Sequence, residues 1–219
     1  MKTPVLNTLV IDGGRLIFDR DQEEVSLQAH HILLRNNGYL QIGTPEDPFL
    51  NKAEIVLHGK KSDKQFMHFG NKVISAINSK IDIHGQPRDH TWTYVATTIA
   101  VGDVSFSTTV EVDWQVGDVI VVAATGYEMD EAETRTITAV TSTTEFTVDR
   151  PFKNKHYSAV ETYGDKEFPM YCEVALISRN VVVKGADHDS IDTTYGGHMM
   201  LMGSEMEGTR GRFSYMEMY

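Results

Sequence analysis

Apolar residues along this chain fall in short runs, often alternating with polar ones, and the runs are separated by Gly, Asn and Asp. A period of two sets one face of each run against a core and the other against water, which predicts β-strands. No stretch of helical length repeats its apolar positions about every 3.6 residues, so no amphipathic helix is predicted.

The first 85 residues echo themselves. LVIDGGRLIFD (9–19), ILLRNNGYLQIGT (32–44), AEIVLHGK (53–60) and KVISAINSKIDIHG (72–85) share a loose plan. Three of them hold a short strand, a turn, and a second strand with apolar residues two apart. Leu16/Phe18, Leu40/Ile42 and Ile81/Ile83 fall in equivalent places. A unit recurring irregularly at roughly 20 residues cannot bury its apolar face alone, and stacking on its neighbours does so. That is the pattern of a parallel β-helix. A β-sandwich also alternates, but its hairpins usually turn in two residues.

Residues 93–152 read differently. DWQVGDVIVVAAT (113–125), ETRTITAVTS (133–142) and TEFTVDRPF (144–152) are closely spaced strands with short polar turns. They predict a small antiparallel barrel or sheet inserted between coils at 1–92 and further coils at 153–219. EVALISRNVVVKG (173–185) resumes the coil pattern. GRFSYMEMY (211–219) is a strand without a polar cap, which predicts that these residues join a longer chain or meet a partner.

Composition agrees. Val, Ile and Thr number 56, against 23 for Ala and Leu, and β-branched side chains suit a pleated sheet better than a helix. No apolar run approaches the roughly 20 residues that span a bilayer. MKTPVLNTLV lacks the apolar core of a secretory signal, so a secreted protein's address would lie outside these residues.

The net charge of −11 is uneven. Residues 1–100 balance at 11 basic and 11 acidic side chains, while residues 101–219 carry 9 and 20. The second half repels polyanions, which argues against nucleic acid. A basic stretch remains in the first half, with Lys60, Lys61, Lys64, Lys72 and Lys80 against Asp63; it reads as a solvated loop or a binding patch. Cys172 has no partner for a disulfide and sits in a strand-like run, as a small buried hydrophobe does.

GxGxxG, phosphate-loop, HExxH, CxxC and GxSxG motifs are all absent. The densest polar group is HGQPRDHTW. His84, His90, Arg88 and Asp89 could bind a sugar acid or handle protons, and Trp92 offers a stacking face; the alternative is a solvated turn at Pro87. Asp187 and Asp189, in KGADHDSID, could hold calcium, although the spacing lacks the Gly and terminal Glu of an EF-hand. Glu128, Asp130, Glu131 and Glu133 read as an exposed acidic turn. His198 reads as a core histidine with its hydrogen bonds met.

The segments quoted above, in their order, resemble the glycine-rich G-eight domain and the β-helix that follows it. That arrangement belongs to fibrocystin-type proteins and to related cell-surface and secreted hyaluronan-degrading proteins. The resemblance covers nearly the whole chain. Its glycines include Gly13, Gly14, Gly38, Gly43, Gly59, Gly85 and Gly117, expected at turns where positive φ is needed. It implies an all-β, right-handed parallel β-helix at the cell surface or outside the cell, with an antiparallel insertion. It also implies one of two functions. The first is a non-enzymatic module for adhesion, matrix contact or binding of a glycan or protein. The second is a hyaluronan-cleaving glycosidase, with His84, His90 or His198 as acid or base and Arg88, Asp89, Trp92, Lys60 and Lys61 engaging the polymer. No cofactor is expected, the one candidate being the calcium that Asp187 and Asp189 could hold. The acidic second half favours the module, because hyaluronan is a polyanion.

Overall fold

The computed structural model describes residues 1–186 and 193–219. Described residues form strands and two short 3₁₀ turns, with no α-helix among them. They group into two compact units, Met1–Pro87 with Arg179–Tyr219, and Arg88–Ser178. The second unit is wider than the expected insertion at 93–152.

Seven strands open the first unit: β1 (Leu6–Asp12), β2 (Arg15–Ile17), β3 (Glu24–Arg35), β4 (Tyr39–Ile42), β5 (Lys52–Leu57), β6 (Val73–Ile77) and β7 (Lys80–His84). The second unit holds β8 (Trp92–Tyr94), β9 (Ser105–Ser107), β10 (Val119–Val122), β11 (Glu133–Ser142), β12 (Glu145–Val148), β13 (Ala159–Tyr163), β14 (Lys166–Met170) and β15 (Glu173–Leu176). Four more complete the first: β16 (Val181–Gly185), β17 (His198–Met202), β18 (Arg210–Ser214) and β19 (Met216–Met218).

Every strand pair in the first unit is parallel, and the pairs form three ladders. Residues 24–29 of β3 pair with β5, β5 with β16, and β16 with β19. Residues 31–34 of β3 pair with β6, which pairs with β17, while β1 covers the other edge of β3. The third ladder runs β2, β4, β7, β18. Leu16 is in register with Leu40 and Leu40 with Ile81, while Ile42 faces Ile83, so the equivalences read from the sequence are stacked positions. These side chains join Ile55, Leu57, Val181 and Val183 in one buried core.

Two kinds of constraint require the glycines. Gly43 has φ 71°, and a Cβ there would lie 2.5 Å from the His84 carbonyl oxygen. Gly14, Gly38 and Gly85 do not have positive φ, contrary to expectation. Gly38 and Gly85 are needed instead for close approach: a methyl group would run into the carbonyl oxygens of Ile11 and Tyr215 respectively. Gly85→Ala therefore forces backbone apart. We expect a loss of about 2 kcal/mol, seen as a Tm lower by roughly 4–8 °C; an unchanged melt would refute the close-approach account.

The second unit is antiparallel. Its six-stranded sheet runs β8-β15-β10-β11-β12-β9. Ala96 N–H donates to the Ser107 carbonyl and Thr109 N–H to the Tyr94 carbonyl, joining the continuations of the two end strands. The sheet thus closes on itself around Phe106, Trp114, Ile120, Val122, Ile137, Phe146, Phe152 and Val174. Glu173–Leu176 belongs here because β15 pairs with both β10 and β8. Cys172 is buried in this core, and burial pushes its thiol up to about 11, so it behaves as the expected inert hydrophobe. The hairpin β13–β14 pairs only within itself among the described strands.

Candidate functional site

The HGQPRDHTW cluster divides at the unit boundary: His84 ends β7 of the first unit, and Arg88 through Trp92 begin the second. His84 is buried. Its Nδ1 lies 2.7 Å from Ser214 Oγ, and its Nε2 has no hydrogen-bond partner. Burial lowers its pKa, opposed by Asp82 and reinforced by Arg212. A serine–histidine pair needs a third group to orient the imidazole before it activates a nucleophile. Nothing bonds Nε2 here, and the ring is closed off from solvent. In the described structure His84 is buried against Ser214 rather than exposed at a surface.

Arg88 is also committed elsewhere. Its Nη1 donates to the Asp113 carbonyl at 2.7 Å, its Nη2 pairs with Asp118 at 3.1 Å, and its side chain is 9% exposed. The guanidinium expected to meet a glucuronate instead braces the second unit. Asp89 and His90 are exposed on the same turn, where the His90 carbonyl accepts from Trp114 Nε1 at 2.8 Å.

Trp92 does present a face, being 53% exposed. Strand alternation sends Thr93 into the barrel and leaves Trp92 and Tyr94 outside. Trp92 meets Tyr94 edge-on at 5.5 Å between centroids, and Tyr94 lies 5.7 Å from Tyr171. Glu173 stands directly opposite Tyr94 in the β8–β15 register. Tyr94, Tyr171 and Glu173, with Thr125, Tyr157, Pro169 and Met170, line an open groove of about 610 Å³. Tyr94, Tyr157 and Tyr171 were not legible as partners, because they come from separate parts of the sequence; the apolar–polar alternation around Trp92 was the only signal.

Lys60, Lys61 and Lys64 are exposed, but Lys72 is buried, with Nζ 2.8 Å from the Tyr195 carbonyl. The basic stretch is thus smaller than the sequence suggested. His198 Nε2 lies 2.7 Å from the Phe69 carbonyl, fitting the reading of a satisfied histidine. Asp187 and Asp189 lie outside the described residues. Among the described residues no group of three His, Cys, Asp or Glu side chains could hold a metal ion.

Two buried ion networks were missed. In the first unit Asp82, fully buried, accepts from Arg212 Nε at 2.8 Å, Arg212 Nη2 at 2.6 Å and Tyr39 Oη at 2.6 Å. Burial would raise its carboxyl, yet the bonds from Arg212 and Tyr39 hold it below the ordinary range. In the second unit Glu133 corrects the expected exposed acidic turn. Glu128 and Asp130 are exposed, but Glu133 is buried beside Arg135 and His156. Asp82/Arg212 and Glu133/Arg135 are paired across strands or two apart on one strand face, positions that look solvated when a sequence is read without its partners.

The second unit carries 15 acidic and 6 basic residues between 88 and 178, a net −9 of the chain's −11. The acidic bias of the second half is thus mainly a property of this unit.

Residues 1–96 match the G8 domain. The chain is 35% identical to fibrocystin-L of Mus musculus over 190 residues, covering 85% of this chain and 4% of that protein. It is 33% identical to fibrocystin of Mus musculus over 187 residues, covering 84% and 4%. The chain therefore spans a small part of these relatives. Among solved structures it is similar to the Gp54 tailspike of Acinetobacter baumannii bacteriophage AP22 in complex with capsular saccharide, at 13% identity and a TM-score of 0.30, over 89% of this chain and 29% of that one. A likeness that weak does not bear on the fold.

Proposed function

Starting from the G8 domain that residues 1–96 carry, we propose that this chain is an extracellular, non-enzymatic binding module of a fibrocystin-like protein, acting in adhesion or matrix contact through a bound glycan or protein. Its first unit is read as a right-handed parallel β-helix. The three parallel ladders support that reading, and parallel crossovers are right-handed in about 98% of cases.

The outward aromatic row of Trp92, Tyr94 and Tyr171 carries the functional reading. Aromatic rings left in water lose the stabilisation that burial would give, and exposed apolar patches rimmed by polar residues mark binding surfaces. Most residues proposed for hydrolysis lend that chemistry no support. His84 is shut in, Arg88 is paired internally and His198 bonds a backbone carbonyl, while His90 alone of the three histidines is exposed.

High-molecular-weight hyaluronan incubated with the chain and sized on a gel should keep its length. Shortening of the polymer that disappears in His90→Ala would overturn the module and restore the glycosidase.

A further inference from the structure

The groove of the second unit combines three features. Its walls are aromatic, from Tyr94, Tyr157 and Tyr171, with Met170 at the rim. One carboxylate, Glu173, stands exposed among them, directly across from Tyr94. The unit that holds it has a net charge of −9. Tyrosine faces carry negative quadrupole density that attracts a cation within about 6 Å of the ring centroid, and a nearby carboxylate adds to that attraction.

One tyrosine of the groove, Tyr157, already makes such a contact. Lys155 Nζ lies 5.2 Å from the centroid of Tyr157. Glu161 accepts a hydrogen bond from the Tyr157 hydroxyl, which places a carboxylate at that ring's polar end. An acidic polymer would meet Glu173 and the field of the whole unit with the wrong sign.

We propose that the groove bounded by Tyr94, Tyr157, Tyr171, Met170 and Glu173 binds an arginine or lysine side chain of a basic polypeptide segment. The guanidinium or ammonium stacks on the tyrosine faces and pairs with Glu173, and the surrounding acidic surface draws the rest of the segment in. Arginine suits the site better than lysine, because its planar, weakly hydrated head stacks on aromatic rings at lower desolvation cost. The proposal rests on the binding-module reading and names its ligand class. The two fail separately: shortened hyaluronan defeats the module, while intact hyaluronan with no peptide binding defeats only the ligand assignment.

The test is fluorescence anisotropy of a labelled glycine–arginine repeat peptide against the full 219-residue chain, beside the same peptide with citrulline in place of arginine. Citrulline keeps the shape and removes the charge, so binding should weaken at least about tenfold. Tyr94→Leu, Tyr171→Leu and Glu173→Gln should each weaken arginine-peptide binding by about 5–30-fold, while Tyr94→Phe, which keeps the ring, stays within about twofold. Met170→Lys, at an exposed rim position, puts a cation into the groove and should abolish binding even if a tyrosine variant fails to fold. Glu145→Gln, a remote charge control on the same unit, should change nothing.

Equal binding of the arginine and citrulline peptides would overturn the proposal. So would tyrosine variants that fold and bind normally while Glu145→Gln weakens binding as much as Glu173→Gln, since that pattern means diffuse attraction. Binding of a neutral or acidic oligosaccharide that is lost in Tyr94→Leu, without peptide binding, would assign the groove to a glycan instead.

Discussion

Arg135→Met should cost the second unit about 3–5 kcal/mol, the usual penalty for removing one partner of a buried ion pair. Arg135 Nη2 pairs with Glu133 and also donates to the Pro151 carbonyl at 2.8 Å. Its Nε donates to the Arg150 carbonyl at 3.1 Å, and its Nη1 to the Thr134 carbonyl at 2.8 Å. The guanidinium also lies 4.8 Å from the Phe152 ring centroid. Met fills much of the same volume but supplies none of these donors. It leaves a buried carboxylate and several carbonyls with fewer partners, and each loss is expensive away from water. Urea or thermal melts of Arg135→Met and Arg150→Met make the comparison. Arg150 pairs with Asp149 at the surface, so its replacement should stay within about 1 kcal/mol. Equal, small effects of both would mean that the Glu133 network contributes little.

The positions of these networks explain what the sequence could and could not show. Alternation along Tyr39–Ile42 and Lys80–His84 identifies strands because burying Leu40, Ile42, Ile81 and Ile83 is a local demand on period. Those same residues fall in parallel register, so the repeat was legible too. Partnership between distant polar residues was not. Asp82 and Arg212 look like ordinary surface charges until β7 and β18 stand side by side. Arg88 looks like a ligand residue until Asp118 closes on it. The extent of the second unit was obscured for a related reason. Glu173–Leu176 has the alternation of a coil strand, and only its pairing with β8 and β10 assigns it to the barrel. The glycines show a third limit. A glycine required by a neighbouring carbonyl, as at Gly85, cannot be told in sequence from one required by positive φ, as at Gly43. Trp92 was readable because an aromatic residue at an outward strand position has no local reason to be there.

Acid should expose the second buried network. Burial alone would raise the Glu133 carboxyl, but N–H groups of Asn154 and Lys153, with Arg135 and His156, bring it from 4.5 down to about 2. A group held below its unfolded value binds fewer protons in the folded state, so it stabilises above about pH 4.5 and loses that contribution as pH falls toward 2. By linkage the contribution is about 3 kcal/mol at neutral pH. Glu133→Gln keeps the shape but cannot carry the charge, and it turns one of two accepting oxygens into a donor that faces Arg135 or the Lys153 and Asn154 N–H groups. Its melting temperature should lie well below that of the native chain at pH 7, and the gap should narrow steadily as the melts are repeated from pH 5 to 2.5. Asp82→Asn should narrow in the same direction, since its carboxyl is also held low. A gap for Glu133→Gln that stays constant with pH would place the loss in packing rather than charge, and would remove the electrostatic account of the Glu133, Arg135 and His156 cluster.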